Sequence, residues 1–154
     1  MAEQMRIAAE DIAQAILEIT GEALLKGDFD AFAAVFHVPQ HMATIIGPIY
    51  METHEDMRRA FDAMHRCFQE TGVTELRREV TDARYISNTR IESTHVGETR
   101  TADGKIEGPY PVFSTIEKID GTWKVTGGEY VMKADSMQTH ALSKADTSAR
   151  DTLN

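Results

Sequence analysis

The chain has 154 residues, 42% of them hydrophobic and 27% charged. That is one domain's worth of sequence, with ordinary globular composition and enough length for a core that needs no disulfide or metal. Sixteen Lys and Arg against 25 Asp and Glu leave a net charge of −9. A surface so acidic repels phosphate backbones and anionic lipid, which argues against nucleic acid and membrane as partners.

Cys67 is the one cysteine, so no disulfide can form within the chain, as expected in a reducing compartment. The opening MAEQMRIAAEDIAQAI has neither the basic start nor the unbroken apolar run of a signal peptide. No window approaches 18 uncharged apolar residues. A cytoplasmic protein is expected.

In chain order, Ile12, Ile16, Ile19 and Ala23 form one apolar stripe at helical spacing. Gly27 ends that helix, and Asp28 caps a shorter one running through Phe29, Phe32 and Phe36. Pro39 stops the second helix. Residues 41–46 then read as a strand, Gly47-Pro48 as a turn, and 49–51 as a second extended piece. Thr53-His54-Glu55-Asp56 is a capping-box sequence and opens a third helix, whose apolar face is Met57, Ala60, Phe61, Met64 and Phe68.

After Gly72 the hydrophobic period changes from helical to alternating, with frequent β-branched residues. Strands are predicted near 73–86, 89–99, 109–119 and 122–132. Turns fall at Asn88, at Ala102-Asp103-Gly104 and at Asp120-Gly121. Gly127-Gly128 permits a bend or bulge in the last strand. Beyond residue 133 no apolar stripe persists. The expected organisation is one domain over 1–133 and a flexible tail over 134–154, with a short helix near 137–145 as the alternative for part of that tail.

These segments, LLKGDFDAFAAVF, HVPQHMATIIGP, THEDMRRAFDAMHRCFQETG, VTELRREVTDARYIS and FSTIEKIDGTWKV, resemble in order and spacing the nuclear transport factor 2-like (SnoaL-like) superfamily. The resemblance implies an α+β fold in which a cone-shaped, curved antiparallel sheet wraps three N-terminal helices. It also implies a pocket inside the cone and, commonly, a homodimer built on the sheet. It names no reaction, because the superfamily spans isomerases, cyclases, dehydratases, epoxide hydrolases and transport adaptors.

Motifs for other chemistries are incomplete. His54-Glu55 begins an H-E-x-x-H pattern, but Arg58 stands where the second histidine belongs. Pro39 separates His37 from His41 and denies them a shared helical face. No metal or cofactor is expected. The acidic base that ketosteroid isomerases carry after the first strand is missing from Thr44-Ile45-Ile46-Gly47. Arg90-Ile91-Glu92, with Glu129, loosely echoes the limonene epoxide hydrolases. Strand alternation instead puts Arg90 and Glu92 on the solvated face and Ile91 and Ser93 inward.

The leading functional expectation is a small-molecule-binding protein, with Phe36, His41, Tyr50, Met57, Phe61, Met64, Tyr85, Tyr110, Phe113 and Glu129 lining a hydrophobic pocket. A cofactor-free acid–base enzyme, using Glu129, His41 and Tyr50, is the first alternative. A protein-interaction module is the second. Glu129 faces the pocket if alternation holds through Gly127-Gly128; a bulge there turns Tyr130 inward instead.

Overall fold

The computed structural model describes residues 6–131, 136–138 and 141–142. Its elements run α1 (Ala9–Lys26), α2 (Phe29–Ala34), β1 (Gln40–Thr44), β2 (Gly47–Met51) and α3 (His54–Thr71). There follow β3 (Val73–Ser87), β4 (Arg90–Thr101), β5 (Ile106–Ile119) and β6 (Thr122–Tyr130). The fold is α+β, with six strands in the order β2-β1-β6-β5-β4-β3. The sheet is open and mixed, because β1 pairs parallel to β6 through Met42–Gly128 and Thr44–Tyr130 while every other pairing is antiparallel. That parallel contact joins the first hairpin to the last strand. The sequence, read as one antiparallel meander, does not reveal it.

The helix signals act as their chemistry requires. Gly27 and Gly72 take left-handed φ values of 79° and 76° at the ends of α1 and α3, where a side chain would strain the backbone. Asp28 accepts from the Ala31 N–H, and Thr53 and Asp56 form a reciprocal capping box on α3. The α3 face of Met57, Ala60, Phe61, Met64 and Phe68 is buried throughout. On α1 the buried stripe is Ile12, Ile16, Thr20 and Ala23, with Leu24 beside it. Ile19, expected in that stripe, is exposed, since the 3.6-residue turn carries it past the edge of the contact and Thr20 takes its place. Thr20 satisfies its own hydroxyl on the Ile16 carbonyl, 2.9 Å away.

The first hairpin turns at Ile45-Ile46, one step before Gly47-Pro48, because Thr44 pairs with Gly47 and anchors its Oγ1 on the Gly47 carbonyl at 2.6 Å. Asp120-Gly121 is the tight turn its sequence predicts, with φ positive at both residues. Gln14 of α1 lies along the free edge of β3, donating to the Arg78 carbonyl and accepting from the Val80 N–H. This covers part of an edge that would otherwise offer unpaired backbone groups.

Arg90 and Glu92 are exposed, 3.8 Å apart, while Ile91 and Ser93 are buried. No helix of the described residues is long and apolar enough to cross a membrane. Most of the tail expected over 134–154 lies outside the described residues. Of those that are described, Ser136, Gln138, Ala141 and Leu142 are buried and Met137 is half-buried.

Candidate functional site

Four neighbouring strands bring two rows of residues together on the concave face. Arg78 pairs with Gly97 and Gly97 with Tyr110; one row further, Val80, His95, Val112 and Tyr130 lie side by side. A Cβ on Gly97 would come within 3.1–3.2 Å of the Tyr110 ring, so the glycine makes the space that ring occupies. Tyr130 belongs to this row because the β5–β6 register slips between Thr115–Gly127 and Ile116–Val125, leaving Thr126 as the extra residue of a bulge.

α1, α2 and α3 close over this face, and the space left between is a cavity of about 90 Å³. Its walls are mostly apolar: Leu24, Phe32, Phe36, Met42, Met57 and Phe61 among them. Phe29 and Phe32 lie against Phe61, with ring centroids 5.5 and 5.2 Å away. The polar wall is Thr20, Arg78, His95, Tyr110, Ser114, Tyr130 and Gln138.

Burial decides the protonation of that wall. Desolvation pushes His95 down to about 3, with the nearby Arg78 cation adding to the effect, so its imidazole is neutral throughout the physiological range. Desolvation likewise raises the Tyr110 and Tyr130 phenols, which stay protonated. Arg78 keeps its charge, although burial lowers its pKa, because the guanidinium starts far above neutrality. Its Nη2 donates to the Leu17 carbonyl and to Thr20 Oγ1, each at 2.6 Å. Tyr110 donates to Gln138 Oε1 at 3.0 Å, which ties the described part of the C-terminal segment to the cavity wall.

A family model described as "NTF2-like protein (DUF6841)" matches residues 6–131. The chain belongs to this family. The NTF2-like architecture recurs in solved structures, at identities that establish the fold alone. A domain of unknown function with a cystatin-like fold from Nostoc punctiforme is 16% identical, with a TM-score of 0.65, covering 96% of this chain and 94% of its own. A protein of unknown function from Mycobacterium tuberculosis is 18% identical, with a TM-score of 0.64 over 88% of this chain and 87% of its own. A putative aromatic ring hydroxylase from Novosphingobium aromaticivorans is 14% identical, with a TM-score of 0.57 over 80% of this chain and 88% of its own. No curated protein matches the chain.

The NTF2-like cone brings five of the ten sequence-predicted residues to the cavity: Phe36, Met57, Phe61, Met64 and Tyr110. It places the others elsewhere. Glu129, His41 and Phe113 point out from the opposite sheet face, where they line a shallow open depression. Tyr50 lies tilted beside His41 on that outer side, with ring centroids 5.6 Å apart, and is 57% exposed. Glu129 lies outward for a definite reason: the bulge at Thr126 reverses the alternation that would have carried it in. Tyr85 lies in a second apolar cluster, its ring edge against Trp123 and the Arg6 guanidinium above it.

Arg78 and His95 are absent from the sequence-predicted set, although the alternation that marks them is present. Ile91 and Ser93 face inward, so His95 and Gly97 on the same strand must do so too. Leu76 and Val80 bracket Arg78 on one face, which points a cation into the cone.

Proposed function

We propose that the protein binds a small, largely hydrophobic molecule in the cavity between its helices and the concave sheet face. The observation that carries this reading is the cavity itself, apolar on most sides and polar along one wall, the usual constitution of a ligand site. The volume restricts the occupant. An engineered apolar cavity of about 150 Å³ accepts benzene, so about 90 Å³ suits a molecule of only a few heavy atoms. Binding is favoured over acid–base catalysis because His95 and the two tyrosines are neutral near pH 7, whereas a general base works best with a pKa close to the operating pH. Glu129, His41 and Tyr50, the acid–base candidates, lie on the far side of the sheet from the cavity.

A second copy of the chain is proposed as the partner, seated on the outer sheet face. Arg77, Arg90, Glu92 and Phe113 are exposed there together, and a two-fold axis would let Arg and Glu pair across the contact.

The cavity carries its own reporters, since Met42, Met51, Met57 and Met64 line it among eight methionines in the chain. Methyl spectra of methionine-labelled protein, recorded against a set of four- to six-atom organic molecules, test the reading. Shifts concentrated on those four methyls are expected. Shifts spread over surface methyls, or none with any compound, would refute it.

A further inference from the structure

Arg78 is a half-buried cation with no counter-ion among the described residues. Nη2 holds the α1 backbone and Thr20, but Nε is sealed from solvent and has no hydrogen-bond acceptor among the described residues. The titratable neighbours of the guanidinium are Tyr110 and Tyr130, both neutral near pH 7, and no Asp or Glu among the described residues contributes. Taking a lone cation out of water costs several kcal/mol unless an opposite charge and hydrogen bonds compensate. The chain is acidic, at −9 overall, yet its carboxylates form ion pairs on the surface, as in Arg58–Asp62 and Arg100–Glu98.

The helix above accommodates this arrangement. Gly21, in the interior of α1, faces Arg78, and a Cβ there would meet Nη2 at 3.1 Å. An interior glycine weakens a helix relative to alanine, and here it gives the guanidinium room against α1. The rest of the polar wall consists of neutral groups able to hydrogen-bond: Thr20, His95, Tyr110, Ser114, Tyr130 and Gln138, whose Nε2 is buried without a partner among the described residues.

We infer that the occupant of this cavity is a small monocarboxylate with an apolar tail, its carboxylate set against Arg78 and its tail among Phe36, Met57 and Phe61. This rests on the proposal that the cavity is a ligand site, and it specifies the charge of the ligand. A carboxylate suits the wall better than a phosphate, because a single cation with neutral donors balances one negative charge, and most of the remaining surface is apolar.

The test compares butyrate, butanol and butylammonium, equal in carbon number and different in head, by calorimetry and methionine-methyl shifts on the full chain. Butyrate is expected to bind about tenfold or more tightly than butanol, the difference a charge-assisted hydrogen bond supplies, with butylammonium weakest. Arg78→Met should erase the preference for butyrate and keep butanol binding; Arg78→Lys should retain part of it. If Arg78→Met does not fold, the three-way comparison on the unaltered protein decides alone. Equal binding of butyrate and butanol, or a preference unchanged in a folded Arg78→Met protein, overturns the carboxylate inference and leaves the cavity as a ligand site. Failure of all three compounds to bind overturns both.

Discussion

His95 makes the stability of the protein depend on pH in a way that can be calculated. Its folded-state value is pushed down to about 3 by burial and by Arg78, whereas an exposed histidine titrates near 6.5. A depressed folded value means that the unfolded chain takes up the proton first. The contribution of His95 is therefore complete above about pH 6.5 and is lost progressively as the pH falls towards 3. At pH 4.5 the solution is about two pH units below the midpoint of the unfolded imidazole while folded His95 remains neutral, so about 2–3 kcal/mol is lost. That is a large share of the 5–15 kcal/mol typical of a domain.

The perturbation is His95→Gln, which keeps a neutral polar group and removes the titration. Urea unfolding of both proteins at pH 7.5 and 4.5, at one protein concentration, gives the stability change of each. Subtracting one change from the other cancels the remaining five histidines and the carboxylates. The unaltered protein should lose about 2–3 kcal/mol more than the variant on acidification. A difference below about 0.5 kcal/mol would mean that His95 is solvated, and the description of the cavity wall would fall with it.

Phe61→Ala should destabilise by about 3–5 kcal/mol, read by urea unfolding, because Phe61, on α3, is buried against Phe29 and Phe32; a loss below about 1 kcal/mol would show open space around the ring. Thr53→Ala removes the capping box of α3 and should cost about 1 kcal/mol in the same assay, with no change refuting the capping role. Light scattering at micromolar concentration should report about twice the 17.2 kDa chain mass, and a monomer mass, or a dimer indifferent to charge reversal at both Arg90 and Glu92, would refute pairing through the outer sheet face.

The local elements were legible because their signals are local. Asp28, Gly27, the Thr53–Asp56 box and Gly72 act within one helical turn, and Asp120-Gly121 acts within two residues, so each needs no knowledge of the rest of the chain. The apolar face of α3 was legible for the same reason, since periodicity alone specifies which side is buried. Alternation along β4 and β3 also determined that His95 and Arg78 face inward, although those side chains are polar and the apolar neighbours had to be read to see it. Three features were decided only by the tertiary structure. The parallel pairing of β1 with β6 joins residues some 85 positions apart, and strand sequence carries no direction. The bulge at Thr126 depends on how β6 meets β5, and with it the choice of Tyr130 over Glu129, because one extra residue reverses every side chain beyond it. The isolation of Arg78 from any carboxylate is likewise a matter of three-dimensional neighbours: a chain with nine more acids than bases holds this cation where, among the described residues, none of those acids contributes to its surroundings.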